Sequence, residues 1–191
     1  MIGSEAVRLV LAEAARYVGE EERPRGSNRS LRIDYWLAEV GVAPAEKIDA
    51  AKGCVLEQPG AAWCAAFVHQ VGRQALGAAW PVPRTASVHD PKRRWASVAG
   101  WAEDKGLLVP APHVGDLFVV WNGQLDGGRY AHVGLVERLE PSAPAAPATV
   151  HTIEGNTNAG GSREGFGVFR RERKPSTGIM YVRWTGALDA D

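Results

Sequence analysis

Apolar positions in the first third of the chain recur at helical spacing. Val7, Val10, Leu11, Ala14, Ala15 and Val18 form one stripe over 4–18, the pattern of an amphipathic helix, with Ser4 placed to cap it and Gly19 to stop it. Charged and turn-forming residues 20–28 follow as a loop. Ile33, Trp36, Leu37 and Val40 predict a second helix over roughly 29–40, ended by Gly41. Ala65, Phe67, Val68 and Val71 predict a third, from Trp63-Cys64 to about Ala75. Residues 42–60 show no clean period, and 77–114, with Pro81, Pro83, Pro91, Pro110 and Pro112, read as loops around one short helix at 93–104.

From Gly115 onward the period changes to that of strands. Leu117–Trp121, Ala131–Glu137, Thr149–Glu154, Gly165–Arg171 and Ile179–Trp184 are strand candidates, separated by turn signals such as Asn122-Gly123 and Gly127-Gly128. Gly155-Asn156 is expected to turn the chain after the third of these, and Pro141–Ala148 reads as a solvated loop. Helices first and strands second predict an α+β fold, N-terminal helices packed on an antiparallel sheet of about five or six strands.

Composition narrows the class without naming it. A chain of 191 residues suits one domain over 1–191 and buries enough surface to fold without metal or disulfide staples. Lys plus Arg and Asp plus Glu are 22 each, so the net charge is zero, which argues against nucleic-acid binding by bulk electrostatics. No apolar run is long enough to insert in a membrane. The N-terminus has no secretion signal pattern, so synthesis in the cytoplasm is expected. Seven tryptophans stand beside four Phe and four Tyr. Of these, Trp36, Trp95, Trp101 and Trp184 are expected in the core, and Trp80 fits either core or surface. The basic groups Lys92-Arg93-Arg94 and Arg170-Arg171-Arg173-Lys174 are expected as solvated loop and strand-edge charge.

Cys64 is the sharpest chemical candidate. It opens a helix, where the macrodipole and unpaired N–H groups favour a thiolate; the alternative is a small buried hydrophobe. Cys54 lacks that context and remains open as inert thiol, disulfide partner of Cys64 or alternative nucleophile, although a bridge is disfavoured without a secretion signal. A thiol needs a base. His69 lies about 500° around the helix from Cys64 and faces elsewhere; His89 and His113 fall in loops, and His132 and His151 on strands. In Ala131-His132-Val133-Gly134-Leu135-Val136, His132 shares a face with Gly134, which leaves room for the ring, while Val133 and Leu135 point into the core. Glu154, sharing a strand face with Thr152, and Asn156 are candidates to orient the imidazole. Each has a plainer reading, as a solvated strand end or a turn residue.

Gly60-Ala61-Ala62-Trp63-Cys64-Ala65-Ala66-Phe67-Val68, Gly115-Asp116-Leu117-Phe118-Val119-Val120, Ala131-His132-Val133-Gly134-Leu135-Val136 and Ile153-Glu154-Gly155-Asn156-Thr157, in this order, resemble a CHAP domain. This is the cysteine/histidine-dependent amidohydrolase/peptidase family, related to NlpC/P60-like and papain-like peptidases. The Gly26-Ser27-Asn28 turn and Gly165-Phe166-Gly167-Val168 are similar to peptidoglycan-hydrolysing members, and the likeness spans about 5–185.

The resemblance implies Cys64 as nucleophile, His132 as base and Glu154 with Asn156 as the orienting pair. Asn28, Trp63 and Trp121 are the candidate substrate contacts. The implied activity is hydrolysis of a peptidoglycan amide, by a stem-peptide or cross-bridge endopeptidase or an N-acetylmuramoyl-L-alanine amidase. Such an enzyme would act in the periplasm or cell wall as a phage lysin or a delivered antibacterial effector, with delivery machinery or an immunity protein as partners. The alternatives are a thiol amidase on a non-wall substrate and a non-catalytic wall-binding module. No cofactor is expected, and with no Asp-x-Asp cluster near the N-terminus no metal is expected either.

Overall fold

The computed structural model describes residues 2–42, 61–125, 127–141, 148–158 and 165–188. Cys54, the aperiodic stretch around it and most of the Pro/Ala loop lie outside these residues.

Three helices lead the chain. The first, α1 (Ile2–Ala15), places Ala6, Val10 and Ala14 in the core. It begins before Ser4, which therefore sits in its first turn and does not cap it, and it ends at Ala15 in a turn that Gly19 completes at φ 94°. In α2 (Leu31–Glu39), Ser30 accepts the Ile33 N–H at 3.2 Å as a side-chain N-cap. The third, α3 (Cys64–Leu76), buries every residue from Cys64 to His69 and then Val71 and Gly72. Tyr17, Trp36, Trp63 and Phe67 knit these helices together; Trp36 lies 5.7 Å from Trp63 and 5.6 Å from Phe67, and Tyr17 meets Trp36 edge-on at 5.3 Å. Aromatic pairs of this kind add roughly 0.5–1.5 kcal/mol each beyond the area they bury.

The helix expected at 93–104 is two pieces, a 3-10 turn at Arg94–Ala96 and α4 (Val98–Asp104), split by Ser97 in an extended conformation. Six strands follow: β1 (Leu108–Val109), β2 (Leu117–Asn122), β3 (Arg129–Glu140), β4 (Thr149–Thr157), β5 (Gly167–Arg173) and β6 (Ile179–Val182). They form one antiparallel sheet in the order β1-β6-β2-β3-β4-β5, so the last strand inserts between the first two. The α+β class with helices on an antiparallel sheet is as the sequence predicts.

Side chains alternate across the sheet. Leu117, Val119, Val133, Leu135, Ile153 and Val182 join the helices in the main core, whereas Phe118, Val136, Val150 and Tyr181 make a smaller cluster on the other face. The outer strand β5 is covered by residues 19–22: Gly19 N–H donates to the Val168 carbonyl at 2.9 Å, Val168 N–H to Glu20 at 2.9 Å and Glu22 N–H to Phe166 at 2.7 Å. The charged loop is thus partly a pairing segment, and its Glu22 is buried.

Four further expectations are corrected. β1 arises where only loops were expected, because β6 offers it a partner. Gly155-Asn156 does not turn the chain; a bulge between Glu154 and Thr157, with Asn156 at φ 56°, lets β4 continue until Thr157 pairs with Gly167. The last strand stops at Val182, and Trp184 opens a 3-10 turn. Trp95 is 73% exposed and no part of the core, whereas Trp80 is buried and packs on Trp184 at 4.8 Å. Among the described residues, no helix is long and apolar enough to cross a membrane.

Candidate active site

Cys64 is the first residue of α3, and its thiol is free and buried. Trp63 is the N-cap but offers no side-chain hydrogen bond, so the first-turn N–H groups are uncapped by side chains. Gly155 lets this end of the helix approach the sheet. A Cβ there would stand 2.8 Å from Cβ and Cγ of Phe67 and from the Trp63 ring, closer than real carbon contacts permit, so at this point β4 comes this near to α3 because residue 155 has no side chain.

His132 bonds Glu154 through Nε2, 2.8 Å from Oε2, and its ring is near enough to Cys64 for the two to influence each other's protonation. The space that Gly134 leaves is filled by Phe118, whose ring carbons would lie 2.7–2.9 Å from a Cβ at Gly134. Phe118 then stands 5.9 Å from the imidazole, centroid to centroid, and limits its tilt.

Glu154 is wholly buried and fully engaged. Thr152 donates its hydroxyl to Oε1 at 2.5 Å, and Arg173 donates Nε to Oε1 at 2.7 Å and Nη2 to Oε2 at 2.6 Å. The Arg173 guanidinium also lies 4.8 Å from the centre of the Phe118 ring.

Charge balance explains the titration of this group. Burial alone would lower the His132 pKa, but the interactions of its ring with Cys64 and with the Glu154 carboxylate outweigh that and raise it to about 9. Burial alone would raise Glu154, but the hydrogen bonds and charge of His132 and Arg173 win and hold it at about 2. The geometry therefore favours an imidazolium held between an ionised carboxylate and the sulfur.

Asn156 is in the same neighbourhood but has a different task. With its amide assigned so that donors meet acceptors, its side-chain oxygen accepts the Trp63 N–H at 3.3 Å, and its nitrogen donates to Asn28 Oδ1 at 3.2 Å and to the Gly165 carbonyl at 2.9 Å. The orienting pair implied by resemblance thus divides: Glu154 holds the imidazole, and Asn156 anchors the backbone just before Cys64. Asn28, half-buried at φ 56°, has its oxygen engaged by Asn156 and so belongs to this frame. Trp63 is fully buried and donates Nε1–H to Glu22 Oε1 at 3.0 Å; it packs beside Cys64 in the core and exposes no surface to the cleft.

A cleft of about 170 Å³ opens beside Cys64, lined by Ala62, Ser87, His89, Arg129 and Tyr130 among others. Trp121, 43% exposed, meets Tyr130 edge-on at 5.2 Å, and so stands next to a cleft wall.

Of the other histidines, His89 lines the cleft. His69 is buried on α3, and burial lowers its pKa. His151 lies on the surface between Glu140 and Glu172. Asp116, next to Gly115 in the motif, binds Arg183 at 3.1 Å and the His113 N–H at 2.8 Å and builds the approach to β2 without reaching the thiol group. Arg173, which grips Glu154, is a site residue that the sequence does not single out, since its basic run reads as solvated edge charge. The available signal was alternation: Arg171 and Arg173 share a face with Phe169, whereas Arg170 and Glu172 are exposed. Among the described residues, no group of three or more His, Cys, Asp and Glu is arranged to hold a metal ion.

Compared with known proteins, residues 57–156 match the sequence model of the CHAP domain family, a stretch that contains Cys64, His132 and Glu154. No curated protein and no solved structure matches the chain.

Proposed function

This chain belongs to the CHAP domain family, and from that premise we propose that it hydrolyses an amide bond of peptidoglycan by thiol catalysis. The observation that carries the proposal is Cys64 at the N-terminus of a buried helix, beside a cleft and coupled to His132, whose ring Glu154 holds through Nε2.

Cys64 is the nucleophile. With its proton on His132, the sulfur attacks the amide carbonyl, and the tetrahedral oxyanion is held by the Cys64 backbone N–H, which no side-chain cap at Trp63 competes for. The protonated His132 gives its proton to the leaving amine as the C–N bond breaks. A thioester remains. Water, deprotonated by His132, attacks it, releases the carboxylic acid and restores the thiol. Glu154 keeps the ring in one orientation and stabilises its cationic form; Arg173 and Thr152 keep Glu154 in place.

The test uses purified sacculi. Release of new amino groups should be lost in Cys64→Ala and kept in Cys54→Ala, and mass spectrometry of the released fragments identifies the bond, whether in the peptide or at the glycan–peptide junction. Full activity of Cys64→Ala overturns the proposal.

A further inference from the structure

The cleft beside Cys64 has an unusual charge pattern for this protein. Most described arginines are matched with an acid, as Arg94 is with Glu103 and Asp104, Arg170 with Glu137 and Arg183 with Asp116, or with a backbone carbonyl, as Arg73 is with Gly77 and Arg171 with Asn158. Arg129 lines the cleft, half-buried at the start of β3 opposite Asn122, and among the described residues it has no acidic partner. None of the described residues lining the cleft is a carboxylate either.

Around Arg129 the walls are well held. Tyr130 is fixed between His89, 5.7 Å away, and Trp121, 5.2 Å away. Ser87 is tied through its backbone, its N–H donating to Thr85 Oγ1 at 2.9 Å and its carbonyl accepting from Val98 at 3.1 Å. A volume of about 170 Å³ is below the range of roughly 300–1,000 Å³ for drug-sized ligands, so the cleft suits a single residue and not a disaccharide. A guanidinium with free donors in such a place matches a planar carboxylate. A polyanionic wall polymer would call for a row of cations, and the described lining of this cleft has one arginine and no lysine.

We propose that the cleft is a carboxylate subsite: the peptide residue flanking the scissile amide carries a free carboxylate, which Arg129 binds with the Ser87 hydroxyl beside it. The proposal rests on Cys64 being the nucleophile of the wall-hydrolysis reading and names the substrate feature selected next to it.

Two alkylating reagents test the subsite without a wall substrate. In iodoacetate and iodoacetamide alike the Cys64 sulfur displaces iodide and forms a C–S bond; the reagents differ in a carboxylate against a carboxamide. The readout is the ratio of the two alkylation rates on one protein. The iodoacetate-to-iodoacetamide ratio should fall about three- to tenfold in Arg129→Gln, as for a partly screened charge contact, and further in Arg129→Glu. The same ratio in all three proteins overturns the subsite.

Sacculi provide the second arm. Converting their carboxylates to carboxamides with carbodiimide and ammonia should slow the wild type and abolish the difference between wild type and Arg129→Gln. If Arg129→Gln discriminates between the two sacculi as strongly as the wild type, the subsite is rejected. Loss of anion preference in a protein that cuts no wall rejects wall hydrolysis and keeps the subsite; wall cleavage with an unchanged ratio does the reverse.

Discussion

Arg173 grips Glu154 with two nitrogens, Nε on Oε1 at 2.7 Å and Nη2 on Oε2 at 2.6 Å, and Glu154 in turn holds His132. A buried carboxylate that loses one such partner keeps only part of its compensation, His132 and Thr152 here, at a cost of about 3 kcal/mol. Arg173→Ala should therefore lower stability to urea by that order. It should also raise the Glu154 pKa from about 2 toward the ordinary value, so the acid limb of Cys64 alkylation moves to higher pH. Arg173→Lys, which keeps the charge but not the fork, should recover part of both. A loss of stability with no movement of the acid limb would leave Arg173 a merely structural residue.

Glu154→Gln should move the other limb. The carboxylate charge helps to hold the His132 pKa at about 9; without it the imidazolium is lost at lower pH. The alkaline limb of wall hydrolysis should fall toward neutrality, with kcat reduced on the order of 10²-fold and a smaller change in KM. An alkaline limb still near pH 9 in Glu154→Gln would show that the carboxylate does not sustain the imidazolium.

The same two groups predict the pH dependence of folding. His132 is raised from 6.5 to about 9, so its contribution is fully present below pH 6.5 and is lost as pH rises toward 9. Glu154 is lowered from 4.5 to about 2, so its contribution is present above pH 4.5 and is lost as pH falls toward 2. Urea unfolding of the wild type should show a plateau between about pH 4.5 and 6.5, with declines on both sides. The decline above 6.5 should be absent in His132→Gln.

Gly155→Ala probes the contact between helix and sheet. The new methyl would meet Cβ and Cγ of Phe67 and the Trp63 ring at 2.8 Å, and Cβ of Phe67 cannot swing aside. Overpacking of this kind costs roughly 1–3 kcal/mol. Because the strain falls on the first turn of α3, Cys64 alkylation should slow more than the fall in melting temperature implies. Unchanged alkylation kinetics would show that the helix end relaxes freely.

Much of the architecture was legible along the chain. The stripes at Val10 and Ala14, at Ile33, Trp36 and Leu37, and at Phe67, Val68 and Val71 identified three helices, because a helix closes its hydrogen bonds within its own segment and needs only one apolar face to dock. The alternation around His132 placed that ring opposite Val133 and Leu135 for a similarly local reason. The motif order brought Cys64, His132 and Glu154 forward together.

What could not be read locally depends on pairing between distant segments. A two-residue strand at Leu108–Val109 exists because β6 runs beside it, and Glu22 is buried because residues 19–22 lie along β5. Asn156 looked like a turn residue and Arg173 like edge charge. Their tasks are set by the bulge before Thr157 and by the β4–β5 register, which puts Arg173 and Glu154 on one sheet face. Residue type and period reveal which face a side chain takes within its own strand, whereas the neighbour it meets is decided by register, a property of two segments at once.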